Sequence, residues 1–123
     1  MEQRIVANLW FNGNADEAVD YYVSVFPDSA VLSKDRYPAS VDEGLADFQV
    51  DLAGKTLAVT FALDGQRFVA INAGPEFAFT EAVSFAVTCQ DQDEIDYYWS
   101  ALSAVPESEQ CGWCKDRFGL SWQ

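Results

Sequence analysis

The stretch QCGWCKDRFGLSWQ, residues 110–123, decides how this chain folds. It holds two of the four tryptophans and two of the three cysteines. The pattern predicts a short strand through Trp113, a charged bend at 115–117 and a second short strand that ends at Trp122. Because each tryptophan buries a large apolar area, a surface tail would not carry two of them. The stretch therefore closes a core or lines a pocket.

The composition of the whole chain favours one packed domain. Of 123 residues, 50% are hydrophobic and 15% aromatic, which is enough for a sizeable core. The net charge of −13 argues against nucleic acid and anionic membranes as partners, since both select Lys/Arg patches. The sequence shows no signal peptide and no apolar run of membrane-spanning length. We expect a reduced, soluble, cytoplasmic protein.

The chain contains no histidine, which excludes several chemistries. Histidine is the commonest general base and the commonest transition-metal ligand. Ser-His-Asp and Cys-His nucleophile systems are therefore excluded. Three cysteines, an odd number, do not form a disulfide framework. We expect no catalytic residues of these types.

The first half of the chain reads as a strand, a helix and further strands. Asn14 is predicted as a helix N-cap, with Glu17 completing a capping box and Pro27 ending the helix. The helical spacing of apolar residues defines its buried face: Ala15, Ala18, Val19, Tyr22, Val23 and Phe26. Asp64-Gly65 predicts a type I′ turn. Strands are predicted at 4–11, 29–37, 48–52, 57–63 and 66–73.

The second half repeats part of this order. A strand is predicted at 82–89, and Asp91 is predicted to cap a second helix whose apolar face holds Ile95, Tyr98, Trp99 and Leu102. The wording DEAVDYY at 16–22 recurs as DEIDYY at 93–98, one residue shorter. Together with the matching order of elements, this favours two related strand–helix–strands modules. The predicted class is α+β, with helices on one side of a mixed or mostly antiparallel sheet.

Several stretches resemble the PhnB-like family, which is also labelled demethylubiquinone methyltransferase-like. They span nearly the whole chain in the family's order: LWFNGNA at 9–15, FPDS at 26–29, LDGQRF at 63–68, GPEF at 74–77, and QCGW, KDRFG and SWQ within 110–123. The family belongs to the vicinal oxygen chelate superfamily, with glyoxalase I, bleomycin-resistance proteins and extradiol dioxygenases. The resemblance implies one domain over 1–123, with βαβββ modules at about 1–74 and 75–123. It also implies curved mixed sheets around a central cavity, and a homodimer.

The chain departs from the family pattern in three places. Residues 38–56 are longer than the family's usual link. Cys114 stands where the family more often has an aliphatic residue. The chain ends at Gln123, so we expect a short final strand.

The resemblance also places the metal ligands of the superfamily's enzymes. The corresponding positions here are the region of Ala7, the region of Ala82–Ser84, and Gln123. None is histidine, and a glutamine carbonyl is only a weak, neutral ligand. We therefore expect no metal. Methyl transfer, which the family label suggests, needs a cofactor site of the Gly-rich-turn type. Because residues 12–14 hold a single glycine, we expect no cofactor.

Other motifs have two interpretations each. The CxxC at Cys111–Cys114 is a redox pair, half of a zinc site, or a packing substitution. Zinc needs four ligands, and the chain offers only Cys89 as a further thiol. A redox CxxC normally opens a helix, and this one lies in a strand-like stretch, which favours packing. The acidic groups at 16–20 and 91–96 suit helix capping and a solvated face. Residues 115–117 either steer an anionic ligand or form a polar turn.

The leading hypothesis is a metal-free protein that binds a small apolar or aromatic molecule; the sequence does not decide whether it also catalyses a reaction, and the missing histidine favours binding alone. Converging polar groups among aromatic side chains are typical of such cavities. The alternatives are a metal-dependent isomerase, lyase or dioxygenase, and an interaction module. The predicted cavity residues are Trp10, Phe61, Phe68, Asn72, Ser84, Trp113, Lys115, Trp122 and Gln123.

Overall fold

The computed structural model describes residues 3–123; Met1 and Glu2, the start of the predicted domain, lie outside them. The chain divides into two compact units, Met1–Phe77 and Ala78–Gln123. Each unit begins with a strand followed by an α-helix, and further strands come after the helix. The predicted α+β class is confirmed. Within residues 3–123, no helix has the length and apolarity needed to cross a membrane.

The first unit is a four-stranded mixed sheet with one helix. Its elements are β1 (Ala7–Asn12), α1 (Ala15–Val25), β2 (Ala30–Arg36), β3 (Thr56–Leu63) and β4 (Gln66–Ala73). The strand order is β1-β4-β3-β2, with β1 parallel to β4 and the other pairs antiparallel. Asp64 and Gly65 both have positive φ, 50° and 78°, as the predicted type I′ turn requires.

The core of the first unit lies between α1 and one face of this sheet. Phe61 pairs with Phe68, and Leu9 pairs with Ala70, so side chains of β1, β3 and β4 alternate in step and share a face. The buried side chains of that face are Leu9, Phe11, Val59, Phe61, Leu63, Phe68 and Ala70. Tyr22 of α1 is fully buried, at 0% exposure. The first unit therefore has a hydrophobic core made of its own residues.

The predicted strand at 48–52 is wrong. Residues Asp47–Leu52 form a short 3-10 helix, and Phe48 is 86% exposed. Tyr37 donates its backbone N–H to the carbonyl of Lys55, which closes the connection between β2 and β3. Residues 38–54 therefore form an excursion outside the ladder, where alternating apolar residues have no sheet to face. The alternation alone does not distinguish the two arrangements.

The second unit is smaller. Its elements are β5 (Ser84–Phe85), α2 (Gln92–Leu102), β6 (Cys114–Lys115) and β7 (Ser121–Trp122). The order is β5-β7-β6, with β5 parallel to β7 and β6 antiparallel to it. The predicted strand at 82–89 is shortened to two residues, although Val87 N–H still bonds the carbonyl of Gln123. The final strand is short, as expected.

Two strands follow α2 among the described residues, where the implied module has three. Pro106 begins a 3-10 turn at Pro106–Ser108, and proline has no N–H to donate to a ladder. Cys111 and Gly112 then take positive φ values of 51° and 84°, which fold the chain back so that Gln110 pairs with Trp113. These two turns occupy the segment between α2 and β6, where the third strand of the implied module would lie.

The two helix starts differ from each other. At α2 the prediction is confirmed, since the Asp91 side chain accepts the N–H of Glu94 at 2.9 Å. At α1 the predicted capping box is wrong, because Asn14 makes no side-chain cap hydrogen bond. The N–H of Ala15 instead bonds Oδ1 of Asn72, on β4, at 3.1 Å. A tertiary contact therefore replaces the local cap.

Candidate functional site

Asp116 organises the closing segment from inside. It is 1% exposed, and its Oδ1 accepts the backbone N–H groups of Phe118 at 2.9 Å and Leu120 at 3.1 Å. Its Oδ2 accepts the indole N–H of Trp122 at 2.8 Å. Backbone bonds from Asp116 to Leu120 and from Gly119 to Asp116 complete the turn. The buried carboxylate therefore fixes both the bend and the orientation of the Trp122 ring.

The two cations beside Asp116 are engaged with neighbours in the same unit. Lys115 forms an ion pair with Glu81. The guanidinium of Arg117 lies 4.6 Å from the centroid of the Phe118 ring. Of the two interpretations of 115–117, these contacts favour the polar turn.

A cavity of about 280 Å³ lies in the second unit, along the apolar face of α2. Ten residues of the same unit line it, from α2, from β6 and β7, and from the segments beside the strands: Val87, Cys89, Ile95, Tyr98, Trp99, Leu102, Gly112, Cys114, Trp122 and Gln123. Nine of them are apolar or glycine, and Gln123 supplies an amide. The apolar face predicted for α2 therefore borders a void.

The residues packed near the two helices differ in size. In the first unit, Phe11, Phe61 and Phe68 are buried on the face of the sheet that meets α1. In the second unit, the cavity along α2 is lined by the smaller Val87, Cys89 and Cys114 as well as by the large Trp122. The smaller residues leave the space along α2.

The three cysteines are free and differ in setting. Cys114 is buried in the cavity wall, Cys89 lines it with partial exposure, and Cys111 is exposed on the turn. Burial raises the pKa of the Cys114 thiol, and the nearby carboxylates of Asp116 and Glu109 raise it further. Redox cysteines need a lowered pKa, so this setting supports packing as the role of Cys114.

Two of the predicted cavity residues, Trp122 and Gln123, line this cavity. Ser84 lies beside it, since its hydroxyl accepts the side-chain N–H of Gln123 at 3.0 Å. Trp113 is bound to Gln110 through two backbone hydrogen bonds and is not among the lining residues. Lys115 is held by its ion pair.

The predicted cavity residues of the first unit lie on two opposite faces of its sheet. Phe61 and Phe68 stack on the α1 side, with ring centroids 5.5 Å apart. Asn72 shares that side; its side chain bonds the N–H of Ala15 and the carbonyl of Thr56, so its amide is already used. Trp10 points the other way by strand alternation.

Trp10 lies on the face of the sheet that α1 does not cover. Its indole N–H donates to the carbonyl of Gly74 at 2.9 Å. Its ring meets Phe77 edge-on, with centroids 4.9 Å apart. The predicted cavity between the two modules, which these residues were expected to line, stays a prediction.

Sequence reasoning missed most of the α2 cavity because it assigned that helix face to ordinary core packing. The available signal was a mismatch in size. Tyr98 and Trp99 are large, whereas Val87, Cys89 and Cys114, which line the same cavity, are small. Cys114, which stands where the family more often has an aliphatic residue, is one of the small residues of this wall.

The residues that the family resemblance places at metal positions do not fit a divalent ion. Ala7 has no donor, and the Gln123 amide and the Ser84 hydroxyl are neutral and hydrogen-bonded to each other. In the part of the chain that the structure describes, no three His, Cys, Asp or Glu side chains come close enough to hold a metal. The donor chemistry therefore offers no metal centre here.

The chain is an α+β protein of two units, each with a strand before its helix. The family model described as 3-demethylubiquinone-9 3-methyltransferase matches residues 3–123. The solved structure of a PhnB protein from Bacillus cereus is 34% identical, with a TM-score of 0.75, over 98% of this chain and 97% of that one. The chain belongs to this family, as the sequence predicted.

More distant structures share the fold. A Pseudomonas aeruginosa protein is 19% identical with a TM-score of 0.64, over 98% of this chain and 95% of that one. An Arabidopsis thaliana gene product is 18% identical with a TM-score of 0.55, over 99% of this chain and 97% of that one. No curated protein matches the chain.

Proposed function

We propose that this PhnB-family chain binds a small apolar or aromatic molecule in the cavity along α2. The observation that carries the proposal is a void of about 280 Å³ with an almost entirely apolar wall. Ligand pockets are concave, mostly apolar and equipped with few polar groups. Gln123 is the polar group of this wall.

The volume of the cavity and its opening to solvent limit the size of the ligands that can bind. Pockets for drug-sized ligands occupy roughly 300–1,000 Å³, so this cavity suits a compound of one or two rings. Ile95 lines the cavity and is 45% exposed, which gives a ligand a path from solvent. Trp99 and Trp122 lie in the wall, where a bound ring changes their emission.

The test is a fluorescence titration with naphthalene and indole on two matched variants. Val87→Phe places a ring in the cavity, whereas Val83→Phe makes the same change at an exposed residue that does not line it. We expect saturable quenching in the wild type and in the Val83 variant, and its loss in the Val87 variant. Equal quenching in all three proteins, or none in the wild type, would contradict the proposal.

The proposal does not include methyl transfer or metal chemistry. The family description names a methyltransferase, but the only glycine between β1 and α1 is Gly13, in a short turn. Cofactor sites of the dinucleotide type use several glycines at such a turn. The neutral donors at the superfamily's metal positions supply no charge to hold a cation. We propose a vicinal oxygen chelate protein that binds its small molecule without a metal ion or a cofactor.

We also propose that the chain works as a cytoplasmic homodimer, as the family resemblance implies. All residues of the edge strand β2 are exposed, including Val31 and Leu32. Val41, Phe48 and Val50 add exposed apolar area in the same unit. A second copy would cover these side chains, since exposed apolar patches and open strand edges mark interaction sites. Light scattering should give twice the 13.7 kDa chain mass, and Leu32→Glu should return monomer; a wild-type monomer would refute the proposal.

A further inference from the structure

The wall of the α2 cavity combines three aromatic residues. Tyr98 and Trp99 come from one helix face, and Trp122 comes from β7 on the other side. Aromatic faces carry negative electrostatic potential, and indole is the strongest of the three ring types in attracting a cation. An apolar wall of this kind is therefore not neutral toward charge.

The buried side chain of Asp116 holds the Trp122 ring in place. Both Asp116 oxygens accept hydrogen bonds from N–H groups. One of these bonds comes from the Trp122 indole N–H at 2.8 Å. The bond fixes the orientation of the Trp122 ring, which also lines the cavity.

Carboxylates lie near the two thiols of the cavity wall. Among the lining residues that the structure describes, none is Lys, Arg, Asp or Glu. Lys115 follows the lining residue Cys114 in β6 and is neutralised by its ion pair with Glu81. Burial raises the pKa of Cys89, and the carboxylates of Glu94 and Asp91 raise it further.

The same effect is seen at the other thiol, where Asp116 and Glu109 add to the effect of burial on the pKa of Cys114. Both thiols in the wall therefore experience negative potential from nearby carboxylates. The chain as a whole, at −13, reinforces it.

From the aromatic wall, the Asp116–Trp122 bond and the carboxylates near the wall, we propose that the cavity selects hydrophobic organic cations. The chemical class is a quaternary ammonium or a comparable cation that carries one aromatic or alkyl group. The inference rests on the proposed binding function and names the ligand class of that site. An anionic ligand is disfavoured by the same field.

The test compares three probes of similar shape by isothermal titration calorimetry. Benzyltrimethylammonium is the cation, neopentylbenzene replaces its nitrogen by carbon, and phenylmethanesulfonate is an anion of similar size. We expect the cation to bind about tenfold more tightly than the neutral probe, the gain typical of a partly desolvated cation–π site. The anion should show no saturable heat.

A matched pair of variants assigns the preference to the cavity rings. Trp99→Leu removes a lining ring, whereas Trp113→Leu makes the same change at a residue outside the lining set. We expect the cation preference to shrink several-fold in the first variant and to persist in the second. Circular dichroism checks that both are folded.

The outcomes separate the inference from the proposed function. If the neutral probe binds as tightly as the cation, the cation preference is wrong and the binding function stands. Tighter binding of the anion would also overturn the preference. If no probe binds the wild type, and Val87→Phe has the same heats, both proposals are wrong.

Discussion

Replacing Asp116 by alanine should destabilise the second unit strongly. The change leaves three N–H groups, those of Phe118, Leu120 and the Trp122 indole, without their acceptor in a buried site. A buried donor left unsatisfied costs roughly 1–3 kcal/mol. Since the three donors share one partner, their costs do not simply add, and we expect a total of about 3–6 kcal/mol. That is a large part of the roughly 5–15 kcal/mol that stabilises a typical domain.

The assay is urea denaturation followed by far-UV circular dichroism and tryptophan emission. Asp116→Asn keeps an acceptor for the two backbone donors but turns an amide toward the indole N–H, so its loss should be smaller, about 1–3 kcal/mol. Asp51→Ala is the control, because Asp51 is exposed and surface changes stay within about 0.5 kcal/mol. If Asp116→Ala costs less than Asp51→Ala, or no more than about 1 kcal/mol, the organising role assigned to this carboxylate is wrong.

Three further predictions concern single side chains. Asn72→Ala should lower the free energy of unfolding by about 2–4 kcal/mol in thermal or urea melts, since it orphans the first N–H of α1 and a β3 carbonyl; a change below about 0.5 kcal/mol would count against it. Burial raises the pKa of Asp16, but hydrogen bonds from Lys34 and Thr56 outweigh this effect and lower the pKa below its ordinary value of 3.8. The stability that the ionised Asp16 gives the fold is therefore complete above pH 3.8 and is lost as the pH falls through the lower folded pKa. Asp16→Asn should therefore flatten the stability profile in that acid range, and an unchanged profile would refute the linkage. In alkylation mapped by mass spectrometry, exposed Cys111 should react well before buried Cys114, and the reverse order would contradict the burial assigned to both.

Locally determined features could be predicted from the sequence. The Asp64-Gly65 turn and the Asp91 cap depend on neighbouring residues, and both formed as expected. The α1 cap failed because its acceptor, Asn72, comes from a strand far along the chain. The segment 48–52 failed for the related reason that a ladder needs a partner strand, which alternation does not supply. Spacing therefore predicts elements, and pairing decides which of them form.

The candidate site was harder to predict for two physical reasons. Neighbouring residues of a strand face opposite ways, so Trp10 and Phe61 could not be assigned to one cavity without the register. The void along α2 depends on a sum of side-chain volumes, in which small residues such as Cys89 and Cys114 matter most. The family motif at the end of the chain identified Trp122 and Gln123 because Trp122 belongs to the closing strand and Gln123 follows it directly.

The most direct test of ligand binding along α2 uses the four indole N–H signals in a two-dimensional ¹⁵N NMR spectrum. Trp99 and Trp122 line the cavity, whereas Trp10 and Trp113 do not. On titration with naphthalene, the first two signals should move together and saturate, and the other two should stay in place. Movement confined to Trp10 and Trp113, or no movement of any indole signal, would contradict the α2 cavity as the binding site.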